Sequence, residues 1–286
     1  MQLFILVFAT KKNPTGKVFK IRIMLEKIST KAPKGITKES LKEEFEELIV
    51  RLQKLQCALY AENKRSLLII LQGMDASGKD STVKHVFGKI NPMGVRVKPF
   101  KKPTPEEYSY DFLRRVHKHA PAFGLIHIFN RSHYEDILVP EVHNILPNDK
   151  LKRRYDYVNG FENLLTDHGT VILKFYLHIS RDEQVKRFQR RLTNPEKYWK
   201  YDPADISESK RWEQYIKVYE HIFKKCSPGL PWTIIPADDK WYRNYLIAKQ
   251  VVEVLEKMNP KYPKGYFDDE NNRREAEKAL EEYKNR

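Results

Sequence analysis

The stretch LLIILQGMDASGKDSTVKHVF, residues 67–87, decides the fold. Six mostly apolar residues lead into a loop with two glycines, two aspartates and a lysine, and a helical pattern follows. GMDASGK fits G-x-x-x-x-G-K with Gly73, Gly78 and Lys79. At average glycine usage such a match arises by chance in under roughly a tenth of chains this long, and its place between strand and helix makes chance rarer still. The glycines let consecutive backbone N–H groups face one anion, the helix N-terminus adds partial positive charge, and Lys79 supplies a mobile full charge. Gly73, Ala76, Ser77, Gly78, Lys79, Asp80, Ser81 and Lys84 are therefore the candidate phosphate-binding residues here. The plain alternative is a glycine-rich turn with a surface lysine.

Two acids make this loop unusual. Asp80 stands where a Ser or Thr hydroxyl commonly meets Mg2+, with Ser81 and Thr82 one and two residues further on. Asp75 lies inside the loop, where a carboxylate repels bound phosphate unless a cation intervenes. Asp75 is thus expected to face Mg2+, or Mn2+ in its stead, or the ion's waters. Either acid has a competing reading as a helix N-terminal cap.

Outward from the loop, strands are expected at 67–72, around Val95 and Val97, at 124–130, at 170–179 and at WTII. Helices are expected near 79–90, 105–118, 149–167, 205–225 and 239–258. This alternation predicts an α/β fold with a parallel sheet covered on both faces. Ahead of it, Leu41, Phe45, Leu48, Leu52, Leu55 and Leu59 form a helical stripe at spacings of four and three, opened by a Ser40–Glu43 capping box. The stripe either packs on its own domain or forms a subunit interface.

A second constellation, GLIHIFNRSHYEDILVPEVH at 124–143, ends a strand at Asn130, where residues of parallel sheets line the ligand crevice. Arg131 would direct a fork of donors at phosphoryl oxygens, or it is structural. Glu135 either holds metal or caps the next helix. A third, SRDEQVKRFQRRLTNPEKYWKYDPADISESKRWEQY at 180–215, crowds Lys186, Arg187, Arg190, Arg191, Lys197 and Lys200 around a break at Pro195. It reads as a solvated basic helix or, beside a phosphate loop, as a lid at about 181–206 that closes over transferring phosphates. Lys98, Lys101, Lys102, Arg114 and Arg115 in a further basic stretch extend a possible channel for a long anion.

The chain's 286 residues carry a net charge of +15, which suits a polyanionic partner without naming it. Two cysteines form no disulfide framework and point to a reducing compartment. MQLFILVFA at 1–9 lacks a preceding basic residue and is too short to span a membrane, so it reads as a short strand, a loose tail or a start-site artefact, with Met24 as an alternative start. The expected organisation is a peripheral extension at 1–30, one domain at 31–262 and a polar tail at 263–286, in a soluble, cytoplasmic protein.

GMDASGKD, FKKPTPEEYSYDFLRRVHKHAP, FNRSHYEDIL, RRLTNPEKYWKYDPAD and PWTIIPADDKWYRN occur in this order over about residues 30–262, and together they resemble the family-2 polyphosphate kinases. The resemblance implies a thymidylate-kinase-like P-loop kinase fold and Mg2+-dependent phosphoryl transfer between inorganic polyphosphate and adenine or guanine nucleotides. It also implies a homo-oligomer, a dimer or tetramer, with function carried by Asp75, Lys79, Asn130, Arg131, Arg187 and Arg191. Many members have FDRSWY where this chain has FNRSHYED, so a carboxylate is missing at Asn130 and metal binding falls to Asp75 and Glu135. The NRSHYED form resembles the subgroup that accepts AMP as well as ADP. Two rivals are an ATP-dependent nucleoside monophosphate kinase and, from another class, a nucleic-acid-binding P-loop protein. Against the latter, no nucleic-acid motif accompanies the charge.

Overall fold

The computed structural model describes residues 24–227, 229–265 and 268–285. The apolar stretch at 1–9 lies outside them. β1 (Ser66–Gln72), β2 (Val95–Pro99), β3 (Ile126–Asn130), β4 (Thr170–His178) and β5 (Trp232–Pro236) make one parallel sheet, ordered β2-β3-β1-β4-β5. Every residue of β1 is buried because helices cover both faces of this central strand. Leu68 and Ile70 join Phe129, Ile172, Tyr176 and Trp232 on one face. Leu67, Ile69 and Leu71 join Ile126, Ile128, Phe175 and Leu177 on the other. Each such side chain contributes about 1.5–3 kcal/mol by leaving water.

The second face is closed by α1 (Lys42–Glu62) and α10 (Lys240–Met258), which pack together. Leu48, Leu52 and Leu59 of the leucine stripe are buried in that same cluster, so the stripe serves its own domain. Ser40 does not cap α1: its hydroxyl donates to the Thr37 carbonyl, and the helix starts after Leu41 without a side-chain cap.

The first face carries α5 (Glu135–Val142), α6 (Asn148–Asp167) and α9 (Trp212–Lys225). Pro140 within α5 has no N–H for the Asp136 carbonyl four residues back, and a guanidinium donor of Arg154 takes that carbonyl instead. The helix expected over 105–118 is two single turns, α3 (Pro105–Tyr108) and α4 (Arg114–His117). Asp111 interrupts it by accepting from the Leu113 and Arg114 N–H groups. Arg115 turns inward to Asp136 at 3.0 Å, so it braces the fold rather than lining a channel.

The segment after the phosphate loop is α2 (Lys79–Thr82), which widens into a π-helical turn at Val83–Phe87. The basic segment is α7 (Arg181–Thr193), a 3-10 turn at Pro195–Lys200 and α8 (Pro203–Ser209), with the expected break at Pro195. The helix expected over 205–225 is divided between α8 and α9. The tail ends in α11 (Glu270–Lys284), which has no buried residue. Within the stretch expected to be peripheral, Leu25 is fully buried, its carbonyl meets His178 Nε2, and Thr30 donates to Asp238, while Glu26, Lys27 and Ser29 are exposed. No helix among the described residues is long and apolar enough to cross a membrane.

Beneath the second constellation lies a buried ionic cluster. Lys174 Nζ donates to Glu162 at 2.7 Å, to Tyr134 Oη at 3.0 Å and to the Cys226 carbonyl at 2.6 Å. Tyr134 and His133 also hold Glu162. Burial pushes the Glu162 carboxyl up, but Lys174 and His133 together hold it below its ordinary range. Glu162→Ala leaves Lys174 charged and unpaired in the core, and is expected to cost about 3–5 kcal/mol in urea unfolding. Glu162→Leu combined with Lys174→Met should recover much of that loss.

Candidate active site

The site forms where β1, β3 and β4 end together. Leu71 pairs in register with Asn130, the Arg131 N–H donates to the Leu71 carbonyl at 3.0 Å, and Gln72 pairs with Tyr176. The phosphate loop and the second constellation therefore leave the sheet side by side.

Glycine is required twice in this loop. A Cβ on Gly73 would lie 2.7 Å from the Leu177 carbonyl oxygen, and one on Gly78, at φ 104°, would lie 2.0 Å from an Arg243 nitrogen. Ala76 and Arg131 also take left-handed backbone conformations, at φ 61° and 62°. A non-glycine residue there costs about 1–3 kcal/mol, tolerated where the surroundings over-determine the conformation. Here a side chain holds each turn in place: Arg187 binds the Ala76 carbonyl, and Arg131 reaches across to Asp75.

Lys79 is buried, and its Nζ donates to the Gly73 carbonyl at 2.8 Å and the Met74 carbonyl at 3.2 Å. Burial and the Arg131 cation lower its pKa to about 8, against the opposing pull of Asp75, Glu135 and Asp80. Arg131 donates to Asp75 at 2.6 Å and also feels the charge of Glu135. Glu135 above all, with Asp75, overcomes burial and pushes the guanidinium pKa well above its ordinary value. Gln72 Nε2 holds one Glu135 oxygen at 3.1 Å, and Gln184 Nε2 holds the Asp75 carbonyl at 2.9 Å.

Asp80 does not cap α2, whose N-cap is Gly78. Its carboxylate accepts from Asn130 Nδ2 at 2.6 Å and lies 3.6 Å from Lys200 Nζ. Burial raises the Asp80 carboxyl, but the Asn130 amide and the Lys200 and Lys79 cations hold it below its ordinary value. The amide at 130 thus ties the two motifs together, where a carboxylate would face Asp80 with like charge.

The basic segment divides by direction. Arg187 is buried, and its five N–H donors go to Glu183 and to the carbonyls of Ala76, Ser77, Ala237 and Asp238. The structure thus uses it as a brace beneath the loop, rather than as a cation facing the crevice. Arg191 binds the Lys200 carbonyl and the Asp205 carboxylate, fastening α7 to α8. Lys197 is half-buried, close enough to Lys240 to help depress its pKa, and Lys84 is exposed on the π-helical turn. Ser77 is buried with a hydroxyl that has no hydrogen-bond partner within the protein, and Ser81 Oγ meets Arg243 at 3.3 Å.

Three residues of the site had no role assigned from the sequence. Gln184 sits under the Asp75 carbonyl. Asp205 lies close enough to Asp75 that, after burial, this acid is the main cause of its raised pKa. Arg243 lies beneath Ser77 and Gly78. The last two occur in DPAD and KWYRN, stretches whose chemistry shows only once the chain is folded.

The sequence profile of the family described as Polyphosphate kinase 2 (PPK2) matches residues 35–263. An AMP/ADP-polyphosphate phosphotransferase of Meiothermus ruber is 48% identical over 214 residues, 74% of this chain and 80% of that protein. An ADP-polyphosphate phosphotransferase of Rhodopseudomonas palustris is 39% identical over 239 residues, 78% of this chain and 83% of its own length. The crystal structure of Polyphosphate Kinase 2 from Arthrobacter aurescens TC1 superposes with a TM-score of 0.84 at 39% identity, covering 90% of this chain and 92% of that one.

The Lys79 pKa sets a direction for anion binding. A lysine depressed to about 8 is protonated below that pH and neutral above it. Affinity for tripolyphosphate should therefore fall as pH rises through about 8 in calorimetric titrations. Lys79→Met should lose the part of that dependence centred near 8.

Proposed function

This chain belongs to the polyphosphate kinase 2 family, and we propose that it transfers the terminal phosphoryl group of inorganic polyphosphate to AMP and ADP, giving ADP and ATP. The observation that carries the reading is the Lys79–Asp75–Arg131 constellation. A glycine-rich anion cradle, a buried lysine and an arginine held by a 2.6 Å ion pair converge at one sheet edge.

The chemistry needs positioning and charge neutralisation more than proton transfer. An ionised oxygen of the nucleotide's outermost phosphate attacks the terminal phosphorus of the polymer. The bond from that phosphorus to its bridging oxygen breaks, and the shortened polymer leaves with the electron pair. The loop N–H groups, Lys79 and Arg131 stabilise charge on the transferring group. Lys79 reaches it by exchanging the Gly73 and Met74 carbonyls for phosphate oxygens, and Arg131 by sharing its fork with Asp75. The reaction is reversible in principle, since the same contacts serve either direction.

Mg2+, or Mn2+ in its stead, belongs to this proposal, and the residues present fit it. Asp75 and Glu135 offer hard oxygen donors within the field of Arg131, and the buried Ser77 hydroxyl has hydrogen-bonding capacity left over. Asp75 and Glu135 would hold the ion, with phosphate oxygens and water completing its shell. When bound, it neutralises charge on the phosphates. A homo-oligomer and a cytoplasmic location complete the reading. Exposed Tyr157 and Leu164 of α6 offer apolar surface for assembly, and the free thiols Cys57 and Cys226 suit a reducing compartment. The names of the relatives favour polyphosphate over ATP as donor.

The test mixes purified protein with Mg2+, AMP or ADP, and polyphosphate, without added ATP, and follows nucleotide products by chromatography. ADP and ATP should form. Lys79→Ala and Asp75→Ala should each lose about a thousandfold in turnover while remaining folded by circular dichroism. Near-normal turnover in either folded variant would overturn the site assignment, and no product at any polymer length would overturn the donor.

A further inference from the structure

Arg243, in the first turn of α10, is fully buried, yet its guanidinium bonds to neutral oxygens. Nη1 donates to the Ser77 carbonyl at 3.2 Å, Nη2 to Ser81 Oγ at 3.3 Å and to Asn244 Oδ1 at 2.9 Å, and Nε to Asn244 Oδ1 at 3.2 Å. The nearby acids are engaged elsewhere. Asp238 accepts from Thr30 and the Ser180 N–H, Asp239 from the Ala32 N–H, and Glu183 from both Arg187 and Arg190. Burial and the neighbouring Arg187 both disfavour the Arg243 charge, lowering its pKa to about 9, so it is still a cation at neutral pH. Lys240, one helical turn before Asn244, is likewise depressed by burial and then by Arg187, Arg190, Lys197 and Arg243. Positive charge therefore accumulates beneath the phosphate loop, with Glu183 shared between Arg187 and Arg190 and Arg243 bonded to neutral oxygens alone.

A buried ion without a partner is costly, and that cost is offset only where an anion completes the site. Arg243 lies against the underside of Gly78, so close that a Cβ there would overlap it. Its field reaches the loop's anion cradle through backbone rather than through water, where screening is weak. We infer that Arg243 is a fixed counter-charge for the phosphate chain held by the loop, a positioning residue acting from beneath Ser77, Gly78 and Ser81 without touching the anion. This rests on the phosphoryl-transfer reading above, and it adds to the loop a cation that does not move during turnover. Lys79, by contrast, must change partners.

The competing role is mechanical: Arg243 braces the Ser77 carbonyl by hydrogen bonding alone. Arg243→Gln keeps an N–H donor and removes the charge, whereas Arg243→Lys keeps the charge and loses the fork. Two quantities are read: the rise in melting temperature on adding tripolyphosphate, and kcat and KM for polyphosphate. Arg243→Gln is expected to melt no lower than wild type without anion, because an unpaired buried charge has gone. It should lose most of the tripolyphosphate-induced rise and about tenfold or more in kcat/KM, while Arg243→Lys stays within about threefold of wild type. Glutamine equal to wild type, glutamine and lysine failing alike, or neither variant folding would each overturn the inference in favour of bracing. If wild type responds to tripolyphosphate through the Arg243 charge but transfers no phosphoryl group, the inference stands and the proposed reaction fails. If Arg243→Gln forms ATP normally, the reverse holds.

Discussion

The site depends on the register of three parallel strands. With Leu71 opposite Asn130 and Gln72 opposite Tyr176, the loop, the Arg131 turn and the end of β4 emerge at one level. The ladder continues beyond the strands: Arg131 N–H bonds the Leu71 carbonyl, Phe100 N–H the Asn130 carbonyl and Ala237 N–H the His178 carbonyl. A slip of one residue would exchange the faces of β1 and send Leu68 and Ile70 into the opposite layer. Two apolar layers thus hold a polar edge in alignment.

At that edge, charge is arranged in tiers. Asp75, Asp80 and Glu135 stand among the crevice cations, and each is coupled to a neighbour: Asp75 to Arg131, Asp80 to Asn130 and Lys200, Glu135 to Gln72. Beneath the loop lie Arg187 and Arg243, bound mainly to carbonyl oxygens. The upper tier pairs side chain with side chain across the crevice, while the lower tier is locked by burial among carbonyl oxygens. Deeper still, the Glu162–Lys174 pair fixes His133 and Tyr134, two and three residues after Arg131.

Much of this was legible in the sequence, because β1 is an apolar run, β4 is one broken only at Lys174, both are bounded by turns, and the phosphate loop has fixed spacing. The parallel α/β architecture, the strand ends and the convergence of Asp75, Lys79 and Arg131 followed from those signals. What escaped has physical reasons. Asp111 breaks the helix expected over 105–118 through side-chain bonds to Leu113 and Arg114, a local competition that periodicity does not register. Arg187 sits in a run of basic residues, and composition cannot tell which of its members turns inward. Arg243 lies on a helix whose other neighbours are mostly apolar, so nothing local sets it apart.

Arg187 also has a bearing on how the chain reaches its working form. Its five donors collect oxygens from residues 76, 77, 183, 237 and 238, which lie on the phosphate loop, on α7 itself and just past β5. One guanidinium therefore ties three segments distant in sequence. The left-handed turn at Ala76 gains its support only when α7 and the end of β5 have docked. A chain without those contacts would carry the loop residues but not the supported turn.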